Sequence, residues 1–163
     1  MGWTEDAENR ANLMAIIVDR LALLEYTVRK TLALLMSADP VVAHVFTTQM
    51  GAGEMIAKCE QILEESARKD FTRGSNELRL ALKAAKKAFV HRNNLFHNLT
   101  LQWTEEDGTD VAYTHKWKRG QDEPTLIPAE LDNLRAIYYR ANHAINGLRV
   151  HAPKPPFEMP EPY

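Results

Sequence analysis

The chain has 163 residues, with 20 Lys plus Arg against 22 Asp plus Glu, 6 His and a formal net charge of -2. A single cysteine, Cys59, excludes an intrachain disulfide and a cysteine-built zinc site, and the near-neutral balance excludes coating nucleic acid through bulk charge. At 45% hydrophobic and 26% charged residues, the composition is that of a globular domain long enough to hold a core without staples. One domain is expected over residues 1–150, followed by a proline-rich tail over 151–163. The start, Met1-Gly2-Trp3-Thr4-Glu5-Asp6, is acidic and lacks an apolar stretch. Asp19, Arg20, Glu25, Arg29 and Lys30 interrupt the most apolar region. A cytoplasmic protein with no membrane span is therefore expected.

Residues 5–37 contain no Gly or Pro, and Thr4 is suited to cap the helix they predict. Leu13, Ile17, Leu21, Leu24, Val28 and Leu35 form one stripe at helical spacing, and Ile16, Leu23 and Leu34 a second. A helix apolar on two sides is expected between neighbours. It should stop near Asp39-Pro40, because the residue before proline disfavours the helical region. A short helix over 40–49, capped by Asp39, comes next. Gly51 and Gly53 then mark a turn, and 54–69 predicts a third helix with Met55, Ile56, Cys59, Ile62 and Leu63 inward. After a break at 72–75, a fourth helix over 76–96 carries the stripe Leu78, Leu82, Ala85 and Phe89. The period then changes to alternation: Leu99, Leu101 and Trp103 before Asp107-Gly108, then Val111, Tyr113 and Trp117. This predicts a two-stranded hairpin near residues 99–118, its apolar face against the helices. A last helix over 128–148, with Pro128 in its first turn, carries Leu131, Leu134, Tyr138, Ala141, Ile145 and Leu148. The expected fold is mainly α: about five bundled helices with one β-hairpin insertion.

The chemistry concentrates at the end of the fourth helix. Arg92 is three residues after Phe89 and four before Phe96, so it occupies the apolar stripe itself. An arginine there must be paired, interfacial or lining a cleft, because an unpaired buried charge is prohibitively costly. Asn93 and His97, four apart, lie beside that stripe. Glu25, among apolar neighbours in the first helix, is the candidate carboxylate to pair with Arg92 and orient it. Lys83, Lys86, Lys87 and His91, with Arg79, make the helix locally basic. They are candidates for an RNA backbone, and a solvated helix face is the competing reading. Trp117 with Lys116, Lys118 and Arg119 offers a weaker stacking surface, and Arg140, Asn142 and His143 a weaker contribution to the Arg92 cleft. Cys59 lies on an apolar stripe and reads as a buried thiol, and no histidine pair has metal-ligand spacing.

Arg92-Asn93-x-x-x-His97, near the end of a long helix, resembles the motif of the HEPN superfamily, an arginine and a histidine separated by four to six residues. The resemblance extends to the helical layout over residues 5–148, with the hairpin as a subfamily insertion. It implies a small cytoplasmic bundle of four or five helices, often a metal-independent ribonuclease serving as a toxin or anti-phage effector. It also implies a homodimer whose two motifs line one cleft, RNA as the substrate, no cofactor or metal, and an antitoxin or nucleotidyltransferase partner. His97 would then move protons, since an ordinary histidine titrates near neutrality. Arg92 would hold the phosphate oxygens with its fork of donors, and Asn93 would hold the phosphate or orient His97. Two other readings compete: a non-catalytic HEPN-like module binding a nucleotide, RNA or protein, and a structural helical accessory protein with Arg92 in a buried ion pair.

Overall fold

A computed structural model of the chain describes residues 5–68, 76–96, 99–104, 110–116, 125–128 and 131–154. Helix α1 spans Glu5–Met36, α2 Pro40–Thr47, α3 Ala52–Arg68 and α4 Asn76–Phe96. Strands β1 (Leu99–Thr104), β2 (Asp110–Lys116) and β3 (Thr125–Pro128) follow, and α5 covers Leu131–His151. The described chain is thus mainly helical, with five helices.

Helix α1 is the hub, meeting α5, α3, α4 and α2. Most of its first stripe forms the core: Ile17, Leu21, Leu24, Val28 and Leu35 are buried, Leu32 joins them, and Leu13 is only partly buried. The second stripe is only partly covered, and Ile16 stays 47% exposed. Two buried threonines on α1 cost little, because each hydroxyl is satisfied within the helix. Thr27 donates to the Leu23 carbonyl at 2.7 Å and Thr31 to the Thr27 carbonyl at 2.9 Å.

The end of α1 is a tight reversal. Ser37 takes a left-handed φ of 50°, its N–H donates to the Leu34 carbonyl at 3.1 Å, and that of Ala38 donates to the Ala33 carbonyl at 3.2 Å. Such wrapping satisfies carbonyls that a helix end leaves open. Asp39 then caps α2, its Oδ1 accepting from the N–H groups of Val41 at 2.8 Å and Val42 at 3.4 Å, with Pro40 in the first turn. Helix α3 starts at Ala52, so Gly53 lies inside the helix and not in the turn before it. Arg79 ties α4 to α3, donating from Nη2 to the Leu63 carbonyl at 2.8 Å.

The α4–α5 seam is made of small residues. Ala81, Ala85, Ala88, Ala141 and Ala144 are buried there or in the adjoining core. At Gly147 a Cβ would lie 2.9 Å from the Ala81 Cβ, so the glycine lets the two helices touch nearly backbone to backbone.

Two expectations are corrected in the second half. Near 99–118, β1 and β2 pair antiparallel, but the expected two strands are corrected to three: β3 joins them in a sheet of order β1-β2-β3, and β2 meets α4. Leu101 pairs with Tyr113 and Trp103 with Val111 in the first ladder, and Tyr113 pairs with Pro128 in the second. A lone hairpin is marginal in water, and the third strand extends the ladder. Pro128 closes an edge strand, where its missing N–H is harmless, and does not open α5. Helix α5 begins at Leu131 and continues through His151 into the segment expected to be tail. The expected break at 72–75, the Asp107-Gly108 turn and the prolines beyond residue 154 lie outside the described residues. Among the described residues, no helix is long and apolar enough to cross a membrane.

Candidate functional site

The last turns of α4 present two different faces. Arg92 points to α1, its Nη1 3.9 Å from Glu25 Oε2. The other oxygen of Glu25 lies 3.8 Å from Nη2 of Arg29, one turn along α1. A single carboxylate thus sits between two guanidinium groups, and the trio keeps one positive charge. The three side chains are 40%, 33% and 29% exposed for Arg92, Glu25 and Arg29. The expected buried ion pair is therefore corrected to a half-exposed one. Phe89, still buried, marks where the α4 core ends, and Arg92 lies almost a turn beyond it. Asn93 is exposed, and His97 lies outside the described residues.

His91 precedes Arg92 by one residue and is turned about 100° from it. It meets α5, where Nη1 of Arg140 donates to His91 Nε2. Arginine has no acceptor, so His91 takes this bond through a neutral ring nitrogen. Burial, with the Arg140 charge adding to it, holds the His91 pKa below the usual histidine value of 6.5. One turn earlier along α4, a cavity of about 270 Å³ opens between the two helices. Among the described residues it is lined by Ala84, Lys87, Tyr139, Arg140 and His143. Tyr139 is 67% exposed, and its ring stands edge-on to Tyr138, with centroids 5.6 Å apart at 71°. Arg20 of α1 lies 5.8 Å from the Tyr138 ring centre, which fixes that ring in turn.

Among the described residues, the groove's lining carries no acidic group. The sequence contains no Asp or Glu between residues 78 and 104, nor between 133 and 157. Among the described residues, no carboxylate pairs with Lys87 or Arg140. Cations without an acidic partner raise the local potential toward anions.

The structure divides the sequence candidates between these faces. Glu25 meets Arg92. Lys87 and His91 belong to the α4–α5 side. Arg140 and His143 join them there, and not Arg92 as their sequence positions suggest. Lys86 turns to α3, its Nζ 3.5 Å from Glu60 Oε2. Lys83 is exposed and does not line the cavity. Trp117, Lys118 and Arg119 lie outside the described residues. Tyr139 is not among the sequence candidates, although a signal for it is present. It lies off the apolar stripe of α5, beside Arg140 and one turn before His143. Cys59 is fully buried, and burial pushes its thiol pKa up to about 12, with the neighbouring Glu60 charge adding to the shift. Such a thiol is a packing group and not a nucleophile. Among the described residues, no three His, Cys, Asp or Glu side chains gather to hold a metal. In comparisons with known proteins, no family model, curated protein or solved structure matches the chain.

Proposed function

We propose that this chain is a metal-independent endoribonuclease of the HEPN type, acting in the cytoplasm as a homodimer in a toxin or phage-defence setting. The observation that carries the reading is Arg92, near the end of α4 and 3.9 Å from a carboxylate it shares with Arg29. Glu25 draws the guanidinium toward α1, while the trio keeps one positive charge for a phosphate. In the proposed reaction the RNA 2′-oxygen attacks phosphorus as His97 takes its proton. Arg92 holds the two non-bridging oxygens as charge builds on them, and Asn93 steadies the phosphate. The bond to the 5′-oxygen then breaks, and that oxygen receives a proton from the protonated histidine of the second motif. The products are a 2′,3′-cyclic phosphate and a 5′-hydroxyl. Val41, Val42, Val45 and Phe46 on α2 expose apolar surface of the kind that marks protein contacts, which supports a dimer or a silencing partner such as an antitoxin or nucleotidyltransferase.

The test is cleavage of labelled RNA in excess EDTA. Wild type should yield cyclic-phosphate ends, and Arg92→Ala and His97→Ala should each lose ~100-fold or more in rate while keeping the wild-type circular dichroism spectrum. Absence of cleavage by wild type, or variants that cut as wild type does, sinks the proposal. A second reading, a phosphate-binding module without turnover, is favoured by the groove between α4 and α5, whose lining among the described residues holds Lys87 and Arg140 and no carboxylate. It predicts RNA binding with no product.

A further inference from the structure

We infer that the α4–α5 groove holds one nucleotide unit of single-stranded RNA, with its phosphate on Lys87 and Arg140 and its base laid on Tyr139. The inference rests on the proposed function for its ligand class, but not on cleavage.

Charge identifies the phosphate. Lys87 and Arg140 face the groove from opposite helices, and no carboxylate occurs along α4 after Glu77 or along α5 after Asp132. On these helices Lys86, Arg92 and Arg135 have carboxylate partners (Glu60, Glu25 and Asp132), Arg79 bonds the Leu63 carbonyl, and Lys83 and Arg149 have no carboxylate partner among the described residues but do not line the groove. The groove is where cations from both helices converge with no carboxylate partner among the described residues. His91 is a positioning residue. By accepting from Nη1 it fixes Arg140 and leaves the other guanidinium N–H groups for a ligand.

Tyr139 identifies the base. A tyrosine 67% exposed on a helix is an apolar surface left to water, and its edge contact with Tyr138 holds the ring in place. Bases stack on such platforms whatever their identity, so the site accepts single strands with little sequence preference. A duplex keeps its bases inside and cannot offer one. The cavity, about 270 Å³ and open to solvent, falls below the ~300–1,000 Å³ usual for engulfed small molecules. It fits one unit of a strand lying along the groove.

The experiment is fluorescence polarisation of a short 2′-O-methyl oligouridine across a salt series. This strand cannot be cut through 2′-OH attack, so binding is read apart from turnover. Lys87→Gln and Arg140→Gln should each weaken binding about fivefold or more. Each should also reduce the salt slope by about 0.7 for every phosphate that is no longer neutralised. Tyr139→Ala should weaken binding ~10-fold at unchanged slope, and Tyr139→Phe should restore it. Lys58→Gln, an equal charge change on α3, should bind as wild type does. If wild type binds but the groove variants bind equally well, the strand is held elsewhere and only the groove assignment is overturned. The same holds if Lys58→Gln is as weak as Lys87→Gln, since diffuse charge then explains the binding. If wild type does not bind, the groove assignment fails; cleavage of unmodified RNA in EDTA then decides separately whether the nuclease reading stands. Tyr139→Ala alters an exposed side chain, so it tests the site even if Arg140→Gln unfolds.

Discussion

His91 and Arg92 are neighbours on α4, yet they serve opposite electrostatic arrangements. Arg92 meets α1, where Glu25 holds it and cancels part of its charge. His91 meets α5, where it holds an arginine without cancelling any charge, because a neutral imidazole accepts a hydrogen bond and carries none. A carboxylate partner orients a cation at a cost in field strength; an imidazole partner orients it and leaves the field intact. The first arrangement suits a group that must stay in one place, and the second suits a surface that attracts a polyanion.

The largest way to break this contrast is through the seam that brings α5 to α4. Gly147→Leu forces a side chain into Ala81 and should cost about 1–3 kcal/mol in urea unfolding, with loss of oligouridine binding. Gly147→Ala meets the same wall with one atom, so the ~1 kcal/mol gained in helix propensity should not appear as added stability. A clear gain in stability for Gly147→Ala would show that the seam has slack.

A smaller effect tests the α1 side. A double-mutant cycle on Glu25→Gln and Arg92→Gln should give a coupling of about 0.2–1 kcal/mol that shrinks as salt is added, because both groups are partly exposed. A salt-independent coupling well above that range would mean a buried pair and a structural role for Arg92.

The smallest expected effect is a pH dependence on the α5 side. The folded His91 pKa is depressed below 6.5, so unfolding takes up a proton at mildly acid pH. The stability linked to His91 is therefore complete above 6.5 and is lost as pH falls through the lower folded value. His91→Gln keeps an acceptor but cannot titrate, so the Tm of this variant should decline less on acidification than that of wild type. Identical declines would show that His91 is not held neutral in the fold.

Much of the helical skeleton is readable along the chain. The fourth helix is expected over 76–96 and is found there, because the stripe from Leu78 to Phe89 is unbroken. The core stripe of α1 is nearly as plain, and Arg92 on an apolar stripe signals an arginine that is paired, interfacial or lining a cleft. Other features are hidden. Residues 125–128 are four positions ending in proline, which resembles a helix start as much as an edge strand; only pairing with β2 distinguishes them. Gly147 looks like a weak point in a helix until Ala81 is seen against it.

Local patterning by itself determined which stretches are helical, which residues face inward, and that α4 is basic and α5 nearly free of acid. Those properties depend on spacings of three and four residues, and a single helix carries them alone. Tertiary structure decided that Glu25 faces Arg92, that Lys87 shares a groove with Tyr139, Arg140 and His143, and that His91 meets Arg140. Helix pairing depends on close packing between residues as distant in the chain as Ala81 and Gly147, here through alanines and one glycine whose role no local spacing reveals.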